Sequence, residues 1–599
     1  MFHIYVEDVD QETILHSELF ILKGRYMEEE HVVSLTVPIT EPLPPQYFVR
    51  AVSDRWIASE TVLPISFRHL ILPEKFPPRT ELLDLQPLPV TALRNPAYEA
   101  IYKEVGLETF NAIQTQVHNS LYNTSDNTLI AAPTGSGKTV CAEFAILRSL
   151  HERPEGKMVY IAPVDALVKL RYRDWTKKLA GIDGLKIGML TGETAPDLKV
   201  LEKNNLILSA PEPWDMLSRR WKQRKNVQAI ALFIVDECHL IGGTKGPVLE
   251  VITSRMRYMT SQTDNQTRIV ALSASVANAK DIGEWIGASS HSLYNFHPNV
   301  RPIPLEIHIQ GFDIPHYASR LLAMSKPMYN AITIHSAGKP SLVVVADRKQ
   351  ARISALDIIA YAGVEDQPTK FLGVTPEDLA PYLTKIKDKT LKETLPYGVG
   401  LLHDALNDAD RQLVETLVSV GAVLAVVAAR EVVWGLAIKT HLVVVMGTES
   451  FDGREHRYIN YPITDVLHMM GQAGRPGQDP LGKAVILCHT PKKEYYKKFL
   501  NEPVPVESHL DHSLHDHMSS EVVTKVVENK QEAVDYLTWS LYYRRLTLNP
   551  NYYNMTGTTH RHISDHLSEL VENVITDLEQ SKCLVHELLQ STLYRDCVC

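Results

Sequence analysis

Ala132-Pro133-Thr134-Gly135-Ser136-Gly137-Lys138-Thr139 is the stretch whose residue types and spacing speak most directly of chemistry. Its glycines let the backbone curl so that successive N–H groups point inward at phosphate oxygens. Thr134, Gly135, Ser136 and Gly137 form that cradle. Lys138 brings a point charge to β- and γ-phosphates, and the Thr139 hydroxyl is a ligand for Mg²⁺. Apolar Thr128-Leu129-Ile130 precedes the loop and the apolar run Val140 to Leu150 follows it. A strand before and a helix after put the helix N-terminus, with its partial positive charge, at the phosphates. A glycine-rich turn that binds nothing is the bland alternative, and this strand–loop–helix context argues against it.

Asp236-Glu237-Cys238-His239 ends the apolar run Leu232 to Val235. A carboxylate at the C-terminal end of a parallel strand faces the same crevice as a phosphate loop. Asp236 is placed to hold the Mg²⁺ shell and Glu237 to orient or deprotonate an attacking water. His239 could tie this loop to a second domain. Alone, these four letters describe many solvated loops; downstream of a phosphate loop, at a strand end, they gain meaning.

The elements that position these residues are apolar on both faces. Val159-Tyr160-Ile161-Ala162, Leu206-Ile207-Leu208, Leu232 to Val235 and Ile269 to Leu272 read as strands of a parallel sheet covered by helices. The texture restarts after Pro304 with Leu342 to Val345, Val423 to Val427 and Leu442 to Val445. Tandem α/β domains leave a cleft between them, a favoured ligand site. Residues 1–72 read as β-structure, with alternation at Phe2 to Val6 and again at His31 to Val37. A proline-rich connector follows, and beyond residue 500 the chain turns helical.

The 599 residues exceed a single core, which stops growing near about 250–300 residues. Hydrophobic content of 44% and charged content of 22% are ordinary for a globular protein. A net charge of -10 excludes a chain coated with basic surface for duplex DNA, so any nucleic-acid contact is local. The six cysteines, Cys141, Cys238, Cys488, Cys583, Cys597 and Cys599, include no CxxC pair and fit a reducing compartment. The N-terminus is acidic rather than secretory. Val420 to Ile438 is the most apolar stretch, but Arg430 and Glu431 break it, which suits a buried strand and turn rather than a membrane span.

The order of these motifs resembles superfamily-two helicases. Phe110-Asn111-Ala112-Ile113-Gln114 is similar to their Q motif, in which Gln114 would contact adenine. Ala162 to Leu167 resembles the motif that holds a nucleic-acid backbone, and Ser273-Ala274-Ser275 the coupling motif between domains. Asp465 to Pro476 resembles the arginine-finger motif, with Arg475 as the finger that remains. The closer resemblance is to the C-terminal cassette of the two-cassette spliceosomal DExH RNA helicase of the U5 small nuclear ribonucleoprotein. Phe48 to Trp56, Leu70 to Lys75, Leu240-Ile241-Gly242-Gly243, Asn295 to Pro302, Val506 to His512 and Asn549 to Asn554 carry it, over nearly the whole chain.

That resemblance implies an α/β fold of two tandem RecA-like parallel-sheet domains, preceded by a β-rich segment and followed by a winged helix. Residues 1–72 would be the end of an immunoglobulin-like domain of a preceding cassette and 73–94 a linker. Residues 95–300 and 301–504 would be the two RecA-like domains, and 505–599 a winged helix with a truncated end, so that the chain reads as a fragment or truncated gene product. ATP and Mg²⁺ are the implied cofactors. Small nuclear RNA, other spliceosomal proteins and the N-terminal cassette are the implied partners, in the nucleus and without a membrane.

The sequence departs from the family where hydrolysis is completed. In active relatives the finger motif reads Gln-Met-x-Gly-Arg-Ala-Gly-Arg-Pro; here the first arginine is Gln472 and the leading glutamine His468. A finger contributes about 10³–10⁵ in rate, or about 4–7 kcal/mol. Ala210-Pro211-Glu212-Pro213 lacks a hydroxyl and a cation of the family pattern, Ala437 replaces its asparagine and Ala429 its threonine. Asp404 and Glu431 add negative charge on the expected nucleic-acid path. The implied activity is therefore ATP binding with weak hydrolysis, in a regulatory and docking role. The rivals are an active ATP-dependent RNA helicase, the related signal-cointegrator-complex helicase of DNA repair or ribosome rescue, and a scaffold that binds no nucleotide.

Three further features have bland readings. Ser218 to Lys225 mixes cations with Trp221, which suits strand gripping or a solvated or subunit-facing helix. His509, His512, His515 and His517 suit packing better than a metal site, lacking cysteines or a matching acidic set. Tyr542, Tyr543, Tyr552 and Tyr553 read as core.

Overall fold

The computed structural model describes residues 1–586 and 593–594, apart from residues 23, 34, 36, 38, 40, 41, 43, 69, 72–75, 337 and 455. Ser34, Thr36, the segment 72–75 and the terminal Cys597 and Cys599 lie outside the described residues. Strands β1 (Phe2–Glu7), β2 (Ile14–Phe20), β3 (Gln46–Ser53) and β4 (Glu60–Ser66) form an antiparallel sheet in the order β2-β1-β3-β4. The described residues of the run beginning at His31 join no ladder, contrary to the strand read there. Val32 is exposed, while Leu35 and Val37 lie against Val6, Tyr47 and Phe67. Alternating apolarity reports which side chains are covered, not whether the backbone finds a partner.

The first large sheet contains β5 (Thr128–Ala131), β6 (Lys157–Ile161), β7 (Ile187–Met189), β8 (Leu206–Ser209), β9 (Ile230–Val235), β10 (Arg268–Ser273) and β11 (Leu293–Asn295). Its order is β11-β5-β10-β9-β6-β8-β7 and its ladders are parallel. Every residue of β5, β8, β9 and β10 is buried, the signature of a sheet covered on both faces. The second sheet takes β12 (Leu305–Phe312), β13 (Ser341–Val345), β14 (Val399–Leu402), β15 (Ala425–Ala429), β16 (Leu442–Met446) and β19 (Gly482–His489). Its order is β12-β19-β16-β13-β15-β14, again parallel. β17 (Glu449–Asp452) and β18 (Arg457–Asn460) pair as a separate antiparallel hairpin after β16. The apolar stretch at Val420 is β15 followed by a turn, as its charges require. Among the described residues no helix is long and apolar enough to cross a membrane.

The C-terminal helices Leu514–Val523, Lys530–Leu537, Leu541–Leu548 and His560–Gln580 close a core of their own and dock on the helix Gly246–Gln262. Buried ions make the joint. Arg255 donates to Asp215 at 2.7 Å and to Glu521 at 2.6 Å, while Arg545 pairs with Glu507 at 2.6 Å and with Asp281. Asn278 exchanges hydrogen bonds with the backbone of Val506 at 2.8 and 2.9 Å. The basic cluster at Ser218 serves the same joint: Trp221 is buried beside Tyr258, and the Lys222 ammonium donates to Lys525 O at 2.8 Å. His509 bonds the Tyr552 hydroxyl at 2.7 Å and His515 meets Asp577 at 3.0 Å. Tyr542 and Tyr553 are core, whereas Tyr552 is 50% exposed and corrects that part of the reading.

Candidate functional site

The phosphate loop runs from the end of β5 into the helix Lys138–Glu152. Gly135 and Gly137 both hold φ of +87°, which β-carbon-bearing residues rarely adopt. Space enforces the same choice, since a Cβ on Gly137 would lie 2.4 Å from Gln114 Nε2. Gln114 belongs to the helix Ala112–His118, where it completes a capping box with Asn111. Its Nε2 donates to Gly137 O at 3.1 Å, and Asn111 Nδ2 donates to Ser136 O at 2.9 Å. The residues resembling a Q motif thus clamp the loop backbone directly. Lys138 curls beneath the loop, donating to Ala132 O at 2.8 Å and Pro133 O at 3.3 Å. Thr134 and Thr139 line the same cleft.

Asp236 and Glu237 follow β9 and face that cleft. The Tyr160 hydroxyl donates to Asp236, whose other oxygen accepts the Glu237 N–H at 2.9 Å. Burial, reinforced by Glu237, raises the Asp236 pKa, while Tyr160, Arg171 and Lys138 oppose the rise. Glu237 takes the left-handed φ of 48°, turning the chain sharply after the strand. His239 Nδ1 accepts the Ala274 N–H at 3.1 Å, so it ties the acidic loop to Ser273-Ala274-Ser275 of its own domain. The expectation that it ties the loop to the second domain is corrected accordingly. Burial holds this imidazole neutral, its pKa pushed down to about 3.

Among the described residues, the buried Ser136 Oγ, Glu237 Oε2, Ser273 Oγ and Ser275 Oγ have no hydrogen-bond partner. Buried polar atoms are ordinarily satisfied, so unmet groups beside a phosphate-type loop fit a polar ligand such as Mg²⁺–nucleotide. Thr139 and Asp236 are the residues that would hold the metal, which when bound supplies neutralisation of phosphate charge.

The second domain supplies the opposite wall of a cavity of ≈ 500 Å³ through Trp434, Leu436, Ala437, Lys439, His468, Gln472 and Pro476. Two glycines allow the approach: a Cβ on Gly435 would lie 2.8 Å from Ala166 Cβ, and one on Gly471 2.2 Å from Thr134 Cγ2. Arg173 and Glu415 pair across the cleft at 2.9 Å. Arg475, expected as the remaining finger, is not brought to this wall. Asp479 holds its guanidinium through bonds of 2.8 and 3.0 Å, and Lys339 shares the same carboxylate. Gln472 and His468 do reach the cleft, where His468 stacks on Trp434 with ring centroids 3.7 Å apart. Arg171 and Lys439 also line it, and neither was singled out from the sequence. Spacing held a signal for Arg171, since Arg171, Asp174 and Lys177 share one face of the helix Asp165–Lys178. Asp404 and Glu431 are exposed on the second domain.

Comparison with known proteins resolves the family. Residues 111–282 match the DEAD/DEAH box helicase model, residues 507–588 a Winged Helix-turn-helix domain and residues 1–66 the Sec63 Brl domain. The U5 small nuclear ribonucleoprotein 200 kDa helicase of Homo sapiens is 59% identical over 583 residues, which are 97% of this chain. The chain belongs to that DExH helicase family. DExH-box ATP-dependent RNA helicase DExH12 of Arabidopsis thaliana is 60% identical over 587 residues, 97% of this chain and 27% of that protein. The Activating signal cointegrator 1 complex subunit 3-like protein of Dictyostelium discoideum is 51% identical over 593 residues, 97% of this chain and 26% of that protein. The chain likewise spans 27% of the length of the human U5 helicase. A solved DUF1998 helicase, MrfA bound to DNA and AMPPNP, shares the helicase fold with a TM-score of 0.56 at 14% identity, covering 88% of this chain and 64% of that one. The helicase family accounts for the tandem parallel sheets, the phosphate loop and the acidic strand end in one chain.

Proposed function

We propose that this helicase cassette binds Mg²⁺–ATP between its two α/β domains, hydrolyses it slowly, and serves as a nucleotide-occupied regulatory and docking module in pre-mRNA splicing. Gln114 would read adenine, Thr134 to Lys138 cradle the phosphates, Thr139 and Asp236 hold Mg²⁺, and Glu237 orient water. One observation carries the reading: the first domain keeps its nucleotide machinery, while the second presents a neutral Gln472 and keeps Arg475 on Asp479. A finger arginine acts by meeting charge that develops on the transferred phosphoryl group, and a glutamine amide carries none to offer. Binding and turnover thereby separate. Small nuclear RNA and spliceosomal proteins, including the N-terminal cassette of the same protein, are the proposed partners, in the nucleus.

Titration with a fluorescent ATP analogue tests the binding half. Saturable binding that is lost in Lys138→Ala supports the site, and no binding to the unaltered chain would remove it.

A further inference from the structure

Lys439 follows Ala437, where the family's asparagine is missing, and points into the nucleotide cleft from the second domain. Its Nζ donates to Gly471 O at 3.1 Å and to Gln472 Oε1 at 2.8 Å. An ammonium has three donors, so one N–H is left for a ligand. Both of these partners are neutral oxygens rather than carboxylates. Gly471 fixes where that donor stands: it packs on Thr134, and its carbonyl oxygen lies 3.3 Å from where a Cβ on Gly135 would be. The ammonium is thus tethered to the segment that touches the phosphate loop. Gln472 is itself held in place, with its Nε2 3.3 Å from His468 Nε2. Glutamine at this position acts as the acceptor that aims a neighbouring cation.

We propose that Lys439 is the second domain's ligand for the terminal phosphate of ATP, delivering from a different residue the positive charge that Gln472 lacks. The inference rests on the reading that ATP occupies this cleft. Burial, with Arg301, Lys138 and Arg171 nearby and only Glu237 opposing, brings the Lys439 pKa down to about 7. An anion at the free donor would meet a charge that the protein itself leaves poorly compensated. Lys439 thereby selects for the triphosphate and latches the domains together. It need not supply the geometry of a finger, so tight binding and slow turnover coexist.

The test compares ATP and ADP affinities of the full chain with those of Lys439→Gln and Lys439→Arg. Losing a charge-assisted hydrogen bond lowers ATP affinity by roughly ten-fold or more, with ADP nearly unchanged and Lys439→Arg close to the parent. Equal changes for ATP and ADP, or none, would overturn the inference. Failure of the unaltered chain to bind either nucleotide would instead overturn the underlying site. A second measurement needs no variant: an amine-acylating reagent at neutral pH, with labelled lysines mapped by mass spectrometry. Lys439 is expected to be protected by ATP and much less by ADP, and equal labelling under both would count against it.

Discussion

Replacing Arg255 by alanine should loosen the C-terminal helical domain from the first α/β domain without unfolding either core. Arg255 is 1% exposed and lies between Asp215 and Glu521, which belong to opposite sides of the joint. Asp215 keeps Arg219 when Arg255 is lost, but Glu521 Oε1 keeps only the Tyr536 hydroxyl at 3.2 Å. Glu521 Oε2 already lacks a partner among the described residues. Removing one member of a buried ion pair costs about 3–5 kcal/mol, because the other charge stays desolvated. At about 1.4 kcal/mol per decade, the joint should open roughly a hundred- to a few thousand-fold more often. Hydrogen exchange reads this locally, through the amides of helices Leu514–Val523 and Gly246–Gln262. Pairing Arg255→Met with Glu521→Leu removes both charges and should recover most of the protection, since apolar replacement of buried ion pairs is often neutral. Unchanged exchange in Arg255→Ala would refute the view that this ion cluster holds the joint.

Three further outcomes follow from the geometry. Glu250 accepts hydrogen bonds from the Ser508 hydroxyl at 2.6 Å and the Tyr542 N–H at 2.8 Å, and burial raises its pKa from 4.5 to about 7. Its contribution is complete below 4.5 and lost as pH rises through about 7, so exchange protection at the joint should fall across that window and become pH-independent there in Glu250→Gln. Gln114→Ala removes the bond to Gly137 O and half of the capping box; ATP and ADP affinities should fall together by roughly ten-fold, measured by nucleotide titration. Gln472→Arg sets a guanidinium beside the Lys439 ammonium and removes its oxygen acceptor, which pushes the lysine pKa, already at about 7, further down and weakens the nucleotide-free cleft. Thermal shift should show a lower nucleotide-free Tm for that variant and a larger ATP-induced rise than in the parent.

The strands read as continuous apolar runs, such as Leu232 to Val235 and Leu442 to Val445, were legible because burial on two faces leaves no polar alternation to misread, whereas β7, β11, β12, β14 and β19 were not read from the sequence. The phosphate loop was legible because its glycines, lysine and threonine each answer a separate demand of phosphate chemistry. Partner choice was not legible. Arg475 has the identity of a finger residue, but Asp479 four residues onward, across a turn, captures it, and nothing in the spacing says which anion wins. His239 likewise turned to Ala274, a partner that only the adjacency of β9 and β10 supplies. Lys439, two residues beyond the asparagine lost at Ala437, is not marked by any motif, since a gained charge has none. At His31 to Val37, alternation foretold coverage of Leu35 and Val37 but not ladder pairing.

Steady-state ATP hydrolysis by the intact chain, with and without single-stranded RNA, tests the central claim most directly when run at nucleotide concentrations that saturate the binding curve. The account predicts full occupancy with slow turnover that RNA does not stimulate. Fast, RNA-stimulated turnover at the same occupancy would contradict it and make this cassette a working helicase in its own right.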